Sequence, residues 1–272
     1  MATPQLSIII PAYNEGARIE RTLDRVMLCV ETQGWDAEVL VVDDGSRDRT
    51  AAIVQRWMET HPRLKLIQNV GNRGKGFSVR NGLLQATGEV VMFTDADLSA
   101  PMEEAELLMA AIADGADVAI GSRWMDRTRQ TIHQPLYRRF FGRCFNWVTR
   151  MVMGLPFKDT QCGFKAFKRP AAQVIFRLQR IERWGFDPEI LFIARNLGYD
   201  IREVPVTWGH DERSRMSYLK DGMKMLEEMA VIRANSLAGR YDEDIAALKD
   251  TSAMVTPPVK QVKVRPSPQA HV

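Results

Sequence analysis

The sequence predicts an α/β fold in which a central, mostly parallel sheet is covered by helices on both faces. Three observations predict it. Short Val- and Ile-rich runs alternate with amphipathic stretches across the first 120 residues. Several of those runs lead straight into polar clusters, the place where open parallel sheets bind ligands. No apolar run approaches the ~18 residues that a membrane span requires. At 272 residues, with 45% hydrophobic and 26% charged side chains, the chain is long enough to bury a sizeable core without staples.

The strand candidates are LSIII (6–10), EVLVV (38–42), LKLI (64–67), EVVMF (89–93) and DVAI (117–120). Each is short, β-branched and bounded by turn residues. Ile19 to Val30, Ala51 to Met58 and Phe77 to Ala86 carry helical patterns between them. The texture changes after Gly121. Residues 123–136 read as a polar loop, and 137–155 as an amphipathic helix. Phe140, Phe141, Cys144, Phe145, Val148, Met151, Val152 and Leu155 share one face of that helix, flanked by Arg138, Arg139, Arg143 and Arg150. Two uses suit such a face: packing on the core, or lying in a membrane interface with the arginines at headgroup level. DTQCGFKAFKR (159–169) reads as a turn and a strand, Pro170 as the opening of a short helix, DIREVPVTW (200–208) as a strand, and Tyr218 to Leu237 as a Met-rich helix. The proline-rich segment 251–272 reads as a disordered tail.

The formal charge of +3 is mildly basic, so contact with phosphates or anionic membranes is permitted and not required. No nucleic-acid-binding role is expected. Cys29, Cys144 and Cys162 are odd in number and widely spaced, which fits a reducing compartment better than a disulfide framework. The opening residues MATPQLS lack the order of a signal peptide. The expected location is therefore cytoplasmic, with any membrane contact peripheral.

Chemistry concentrates in the clusters. In Asp95-Ala96-Asp97 the alternate residues of an extended segment face one way, so both carboxylates can enter one site. A pair of hard oxygen ligands suits Mg²⁺ or Mn²⁺, with a diphosphate completing the shell. A solvated acidic turn is the plainer explanation. Asp43 and Asp44 offer acceptors for the ring N–H of a uracil or guanine, while Ser46 or Asp48 can cap the next helix. In Pro11-Ala12-Tyr13-Asn14-Glu15, Tyr13 can stack on a base or ribose, and Glu15 can bond a ribose or base edge. The same residues also suit a simple turn. Asn72-Arg73-Gly74-Lys75-Gly76 brings backbone and a helix N-terminus toward an anion, without being a Walker A loop.

The ordered set PAYNE, VVDDGSRD, GNRGKG, TDADLSAP and GSR resembles glycosyltransferase family 2. DTQCGFKAF, RWGFDPEIL and EVPVTWGHDERSRMS resemble its dolichyl-phosphate glucosyltransferase branch, so the likeness covers about residues 5–235. It implies a GT-A nucleotide-sugar-binding fold, a divalent metal and inversion at the anomeric carbon. The nucleotide-sugar half would be 1–120 and the acceptor half 121–240. Carried over by position, Pro11, Tyr13, Glu15 and Asp44 would hold the nucleotide with Asp43 in support. Lys75 and Ala96 would line the donor, and Asp95 and Asp97 would bind metal and diphosphate. Ser99 stands where mannosyl relatives often have Gln. Arg123, Arg138 and Arg139 would meet an acceptor phosphate. Arg213, Ser214 and Arg215 stand where relatives carry a Gly-Ser-Lys loop, so arginine replaces both glycine and lysine and the positive charge is kept. Unlike the eukaryotic enzymes, the sequence shows no N-terminal membrane anchor.

The implied reaction moves a hexose, glucose above all, from UDP-glucose to a polyprenyl or dolichyl phosphate. The acceptor oxygen attacks the face opposite the nucleotide. Asp97, Asp159 and Arg123 are the candidate catalytic residues, Asp159 as a positioning group or general base. Alternatives are mannosyl transfer from GDP-mannose, transfer to a sugar hydroxyl in polysaccharide synthesis, and a non-catalytic sugar-nucleotide sensor.

Overall fold

The computed structural model describes residues 3–129, 136–209 and 218–251, with backbone alone for 127, 136–144, 218–221 and 249–251. Seven strands form one sheet: β1 (Leu6–Ala12), β2 (Ala37–Asp43), β3 (Leu64–Gln68), β4 (Val90–Thr94), β5 (Val118–Ser122), β6 (Phe164–Lys168) and β7 (Ile201–Pro205). Their order is β3-β2-β1-β4-β6-β5-β7. β1 pairs in parallel with β2 and β4, β2 with β3, and β5 with β7. β6 runs antiparallel to both β4 and β5. The sheet is mostly parallel, as the strand–helix alternation predicts.

The helices are α1 (Ile19–Gln33), α2 (Thr50–Met58), α3 (Lys75–Gln85), α4 (Ala105–Ala113), α5 (Leu136–Met153), α6 (Arg169–Leu178), α7 (Phe186–Asn196), α8 (Tyr218–Leu237) and α9 (Arg240–Thr251). Strand side chains alternate between two cores. Ile9, Leu40, Val42, Val91 and Phe93 meet α3, α6, α7 and α8 on one face. Ile8, Ile10, Val39, Val41 and Met92 meet α1 and α4 on the other. Both faces being covered is why β1 and β2 read as unbroken apolar runs rather than alternating ones. Pro170 stands in the first turn of α6, where its missing N–H is harmless.

Three helices escape the periodicity reading. α7 is buried from Phe186 through Ala194, so it has no polar face to set a period. α4 is similarly apolar in sequence, and α9 runs up to and includes Thr251, the first residue of the segment read as a tail. Residues 252–272 lie outside the described ones.

The apolar face read along 137–155 divides in the structure. Phe145 packs against the core, and Met153 and Leu155 are buried. Met151 and Val152 are exposed, as is Trp147, which borders the expected face beside Met151. Core packing therefore takes part of α5 and leaves Trp147 and Met151, one helical turn apart, in solvent. Among the described residues, no helix is long and apolar enough to cross a membrane.

Candidate active site

β1, β2 and β4 are adjacent and parallel, so their carboxyl ends at Ala12, Asp43 and Thr94 open on one edge of the sheet. The chain winds from β1 out through β2 and β3, then returns across β1 to β4. The crevice between β1 and β4 is thus a topological switch point, where such sheets bind ligands.

The first two loops are stitched together. Asn14, at φ +53°, donates its backbone N–H to Ser46 Oγ (2.8 Å) and accepts from the Arg47 N–H through Oδ1 (2.8 Å). Glu15 N–H reaches Thr50 Oγ1, and Gly16 N–H reaches Asp48 Oδ2. Of the two proposed helix caps, Asp48 accepts the Thr50 N–H, whereas Ser46 serves the neighbouring loop instead. These bonds leave Tyr13 standing out from the end of β1, 39% exposed. Pro11 lies in register with Val42 on β2, and Glu15 pairs with Arg18 at 2.6 Å.

Asp43 and Asp44 are both buried. Asp43 Oδ1 accepts the Ser46 N–H at 3.2 Å. Asp44 holds the glycine-rich loop: its oxygens accept the N–H groups of Arg73 (3.0 Å) and Gly74 (2.8 Å) and the side-chain amide of Asn69 (2.9 Å). Asn69, buried and oriented by Ser78 and Asn81, carries no sequence signal of its own. Gly74 sits at φ +114°, and a Cβ there would come within 2.5 Å of the Glu182 carbonyl. The loop is therefore pressed against the segment before α7.

Lys75, the first residue of α3, extends back over this edge, and its Nζ lies 2.5 Å from Asp95 Oδ1. The rings of Trp184 and Phe186 flank the ammonium at 5.6 and 5.8 Å. Burial works against the charge on Lys75, but Asp95, Asp187 and Asp97 outweigh it and raise its pKa. Burial, then the neighbouring Asp95 charge, push the Asp97 carboxyl above its ordinary value. Ala96 is fixed through its carbonyl by Thr22 Oγ1 at 2.5 Å. The 159–163 loop approaches so closely that a Cβ on Gly163 would collide with the Asp95 carboxylate.

Arg123 and Asp159 form a bidentate pair: Nε to Oδ2 is 2.6 Å and Nη2 to Oδ1 is 2.9 Å. The Arg123 N–H also reaches Oδ2, and the Gln161 N–H reaches Oδ1. All four acceptor directions of the fully buried carboxylate are therefore taken. Burial disfavours its charge, but Arg123 prevails and lowers the Asp159 pKa, while Asp159 raises that of Arg123 against the same burial. Glu203 on β7 accepts the N–H groups of Lys158 and Asp159 at 2.9 and 2.7 Å. Arg138 and Arg139 fall in the first turn of α5, where the backbone alone is described. Arg213, Ser214 and Arg215 lie outside the described residues.

The glycosyl transferase family 2 model matches residues 7–176, which span every strand from β1 to β6. The chain belongs to glycosyltransferase family 2. Among the family 2 relatives, the dolichyl-phosphate β-glucosyltransferase of Saccharomyces cerevisiae is 34% identical over 257 residues, covering 88% of this chain and 77% of that one. The Drosophila melanogaster dolichyl-phosphate β-glucosyltransferase is 31% identical over 250 residues, covering 87% and 77%. Glucosyl-3-phosphoglycerate synthase from Mycobacterium tuberculosis, solved with UDP, shares the fold at a TM-score of 0.61 and 18% identity, covering 84% of this chain and 80% of that one. The GT-A architecture and the glycosyltransferase assignment follow.

Several residues that shape this family 2 site lie within the resembling segments without a readable role of their own. Glu203 acts through the backbone of a loop 44 positions away in sequence. Lys165 is fully buried on β6 and bonds Asp187 at 2.5 Å and the Cys162 carbonyl at 2.6 Å, tying the 159–163 loop to the start of α7. In the sequence it is one lysine of a basic strand, and nothing marks it as interior.

Proposed function

We propose that the chain transfers glucose, with inversion, from UDP-glucose to a polyprenyl or dolichyl phosphate at the cytoplasmic face of a membrane. The observation that carries this is Arg123: a partly exposed guanidinium, held bidentately from behind, one short loop away from Asp95. The names of the relatives support the sugar and the lipid. Structures of the Mycobacterium tuberculosis glucosyl-3-phosphoglycerate synthase, which shares the fold, solved with Mn²⁺ or Mg²⁺ and UDP support the donor class.

The donor set fits a divalent ion. Asp95 and Asp97 are hard oxygen donors, and a divalent cation between them would offset both the burial and the Asp95 charge that raise the pKa of Asp97. Asp95 and Asp97 would hold Mg²⁺ or Mn²⁺, whose charge offsets that developing on the leaving diphosphate. Lys75 supplies a further cation at the same place. Tyr13, Glu15, Asp43 and Asp44 border the nucleotide side, Asp44 chiefly by shaping the 73–74 backbone. Pro11 and Ala96 line the donor crevice. Arg213, Ser214 and Arg215 are proposed to cover the diphosphate, and Arg138 and Arg139 to assist Arg123 at the acceptor.

A phosphate acceptor is already anionic, so it requires orientation more than a base. Asp159 suits that task as the positioning residue of Arg123, since its oxygens are fully engaged. A sugar-hydroxyl acceptor would demand a base that this carboxylate is poorly placed to be. The test is a matrix of UDP-glucose, UDP-N-acetylglucosamine and GDP-mannose against polyprenyl phosphate, with and without chelator. Metal-dependent transfer from UDP-glucose is expected. Transfer from GDP-mannose alone, or to free sugars as efficiently as to the lipid, would overturn the reading.

A further inference from the structure

Arg123 has aromatic neighbours that the phosphate reading leaves unexplained. Its guanidinium carbon lies 6.0 Å from the Trp124 ring centroid and 5.6 Å from that of Trp208. Two of the chain's six tryptophans thus meet at one cation. Both indoles are only half-buried. The distances stand near the ~6 Å outer limit of cation–π attraction.

Trp208 is also fixed at a junction. Its N–H bonds the Arg129 carbonyl at 3.1 Å, and the next N–H, of Gly209, bonds the Ser99 carbonyl at 2.8 Å. Ser99 in turn donates its N–H to Asp97 Oδ1 at 2.9 Å. Trp208 therefore spans from the Asp97 loop to Arg123. A small hydrophilic phosphate would need the guanidinium and gain little from indole walls. A phosphate ester with hydrocarbon attached directly to it would use both. Phe145, on the α5 face that also suits a membrane interface, packs against the core instead.

We propose that Trp124 and Trp208 form the hydrocarbon subsite of the acceptor, holding the first prenyl unit while Arg123 holds the phosphate. This rests on the lipid-phosphate reading above. Trp124→Ala, Trp208→Ala and the corresponding Phe variants are compared in the full chain. The acceptors are citronellyl phosphate and glycerol 3-phosphate at saturating UDP-glucose, with UDP affinity measured by calorimetry.

Each alanine variant should lower kcat/KM for citronellyl phosphate ~10-fold or more, the loss expected for uncovering one prenyl unit. Transfer to glycerol 3-phosphate and UDP affinity should stay within about twofold, the scale of a surface change. The Phe variants should restore most of the preference, and they decide the matter if an alanine variant loses UDP binding through misfolding. An equal loss on both acceptors, or no loss on either, overturns the subsite while the lipid-phosphate reading stands. A wild-type protein that ignores citronellyl phosphate or prefers glycerol 3-phosphate overturns both.

Discussion

The two sides of the crevice are built by different means. On the β1–β2–β4 side, the site is made of residues adjacent in sequence at strand ends, and their polar groups mostly hold backbone. Asp44 binds the 73–74 amides, Asn14 the 46–47 turn and Asp48 the amides of Gly16 and Thr50. On the β5–β6–β7 side, charge holds charge across long sequence separations: Arg123 on Asp159, and Lys165 on Asp187. The first construction tolerates the loss of one bond more readily than the second, because a backbone amide left unpaired costs less than a buried ion.

The largest expected effect tests the donor side. Asp97→Ala should lower turnover by ~10²–10³-fold or more while the melting temperature barely moves, since Asp97 contributes to chemistry rather than to packing. A chelator should reproduce the loss in the wild-type protein. Near-normal turnover of the variant in metal-supplemented buffer would remove Asp97 from the site.

The second effect compares the two constructions directly. Asp159→Ala strands the Arg123 charge in a mostly buried position and should cost about 3–5 kcal/mol of stability. Asp44→Ala leaves two amides and one carboxamide short of an acceptor and should cost about 1–3 kcal/mol, less if water enters. Denaturant titration gives both values. If Asp44→Ala proves the more damaging, the contrast drawn between the two sides is wrong.

The same contrast explains how much was legible in the sequence. PAYNE, DDGSRD and TDAD announce themselves because each is a polar cluster at the end of an apolar run, and a parallel sheet brings such ends together. Lys75 was legible as part of a glycine-rich loop, although not that its ammonium would reach Asp95. The roles of Glu203, Lys165 and Trp208 were not legible, although the resembling segments contain them, because their partners are fixed by sheet order β4-β6-β5-β7, with β6 reversed between parallel neighbours. α7 was hidden by its own burial, and the division of the α5 face between core and solvent stayed open because the periodic pattern gives no hint of what packs on it.

The smallest effects are in stability against pH, where two buried glutamates differ in sign. Glu38 on β2 is buried, which alone would raise its pKa. Bonds from Lys65 (2.7 Å), Ser7 (2.6 Å) and Thr87 (2.7 and 2.8 Å) outweigh burial and bring it down to about 2. Its folded pKa is below the unfolded one, so its contribution is present above pH ~4.5 and is lost as pH falls toward 2, about 3 kcal/mol in all. Glu189 on α7 is the reverse. Burial dominates over the bonds from Tyr241 (2.7 Å), Ile181 (2.8 Å) and Arg180 (3.0 Å), and its pKa is pushed up to about 6. Its folded pKa is above the unfolded one, so its contribution is complete below pH ~4.5 and is lost as pH rises through 6, about 2 kcal/mol in all. Tyr241 belongs to α9, so this carboxyl also fastens the last described helix to the segment that faces the glycine-rich loop. Unfolding free energies measured from pH 3 to 8 should therefore show Glu38→Gln removing part of the acid loss. Glu189→Gln should remove part of the decline between pH 4.5 and 6. Replacing Glu189 also exchanges an acceptor for a donor beside two amides, so the variant should be less stable throughout, and the change in slope is the decisive readout. An unchanged slope across that interval would show that Glu189 ionises in the folded protein as freely as in the unfolded chain.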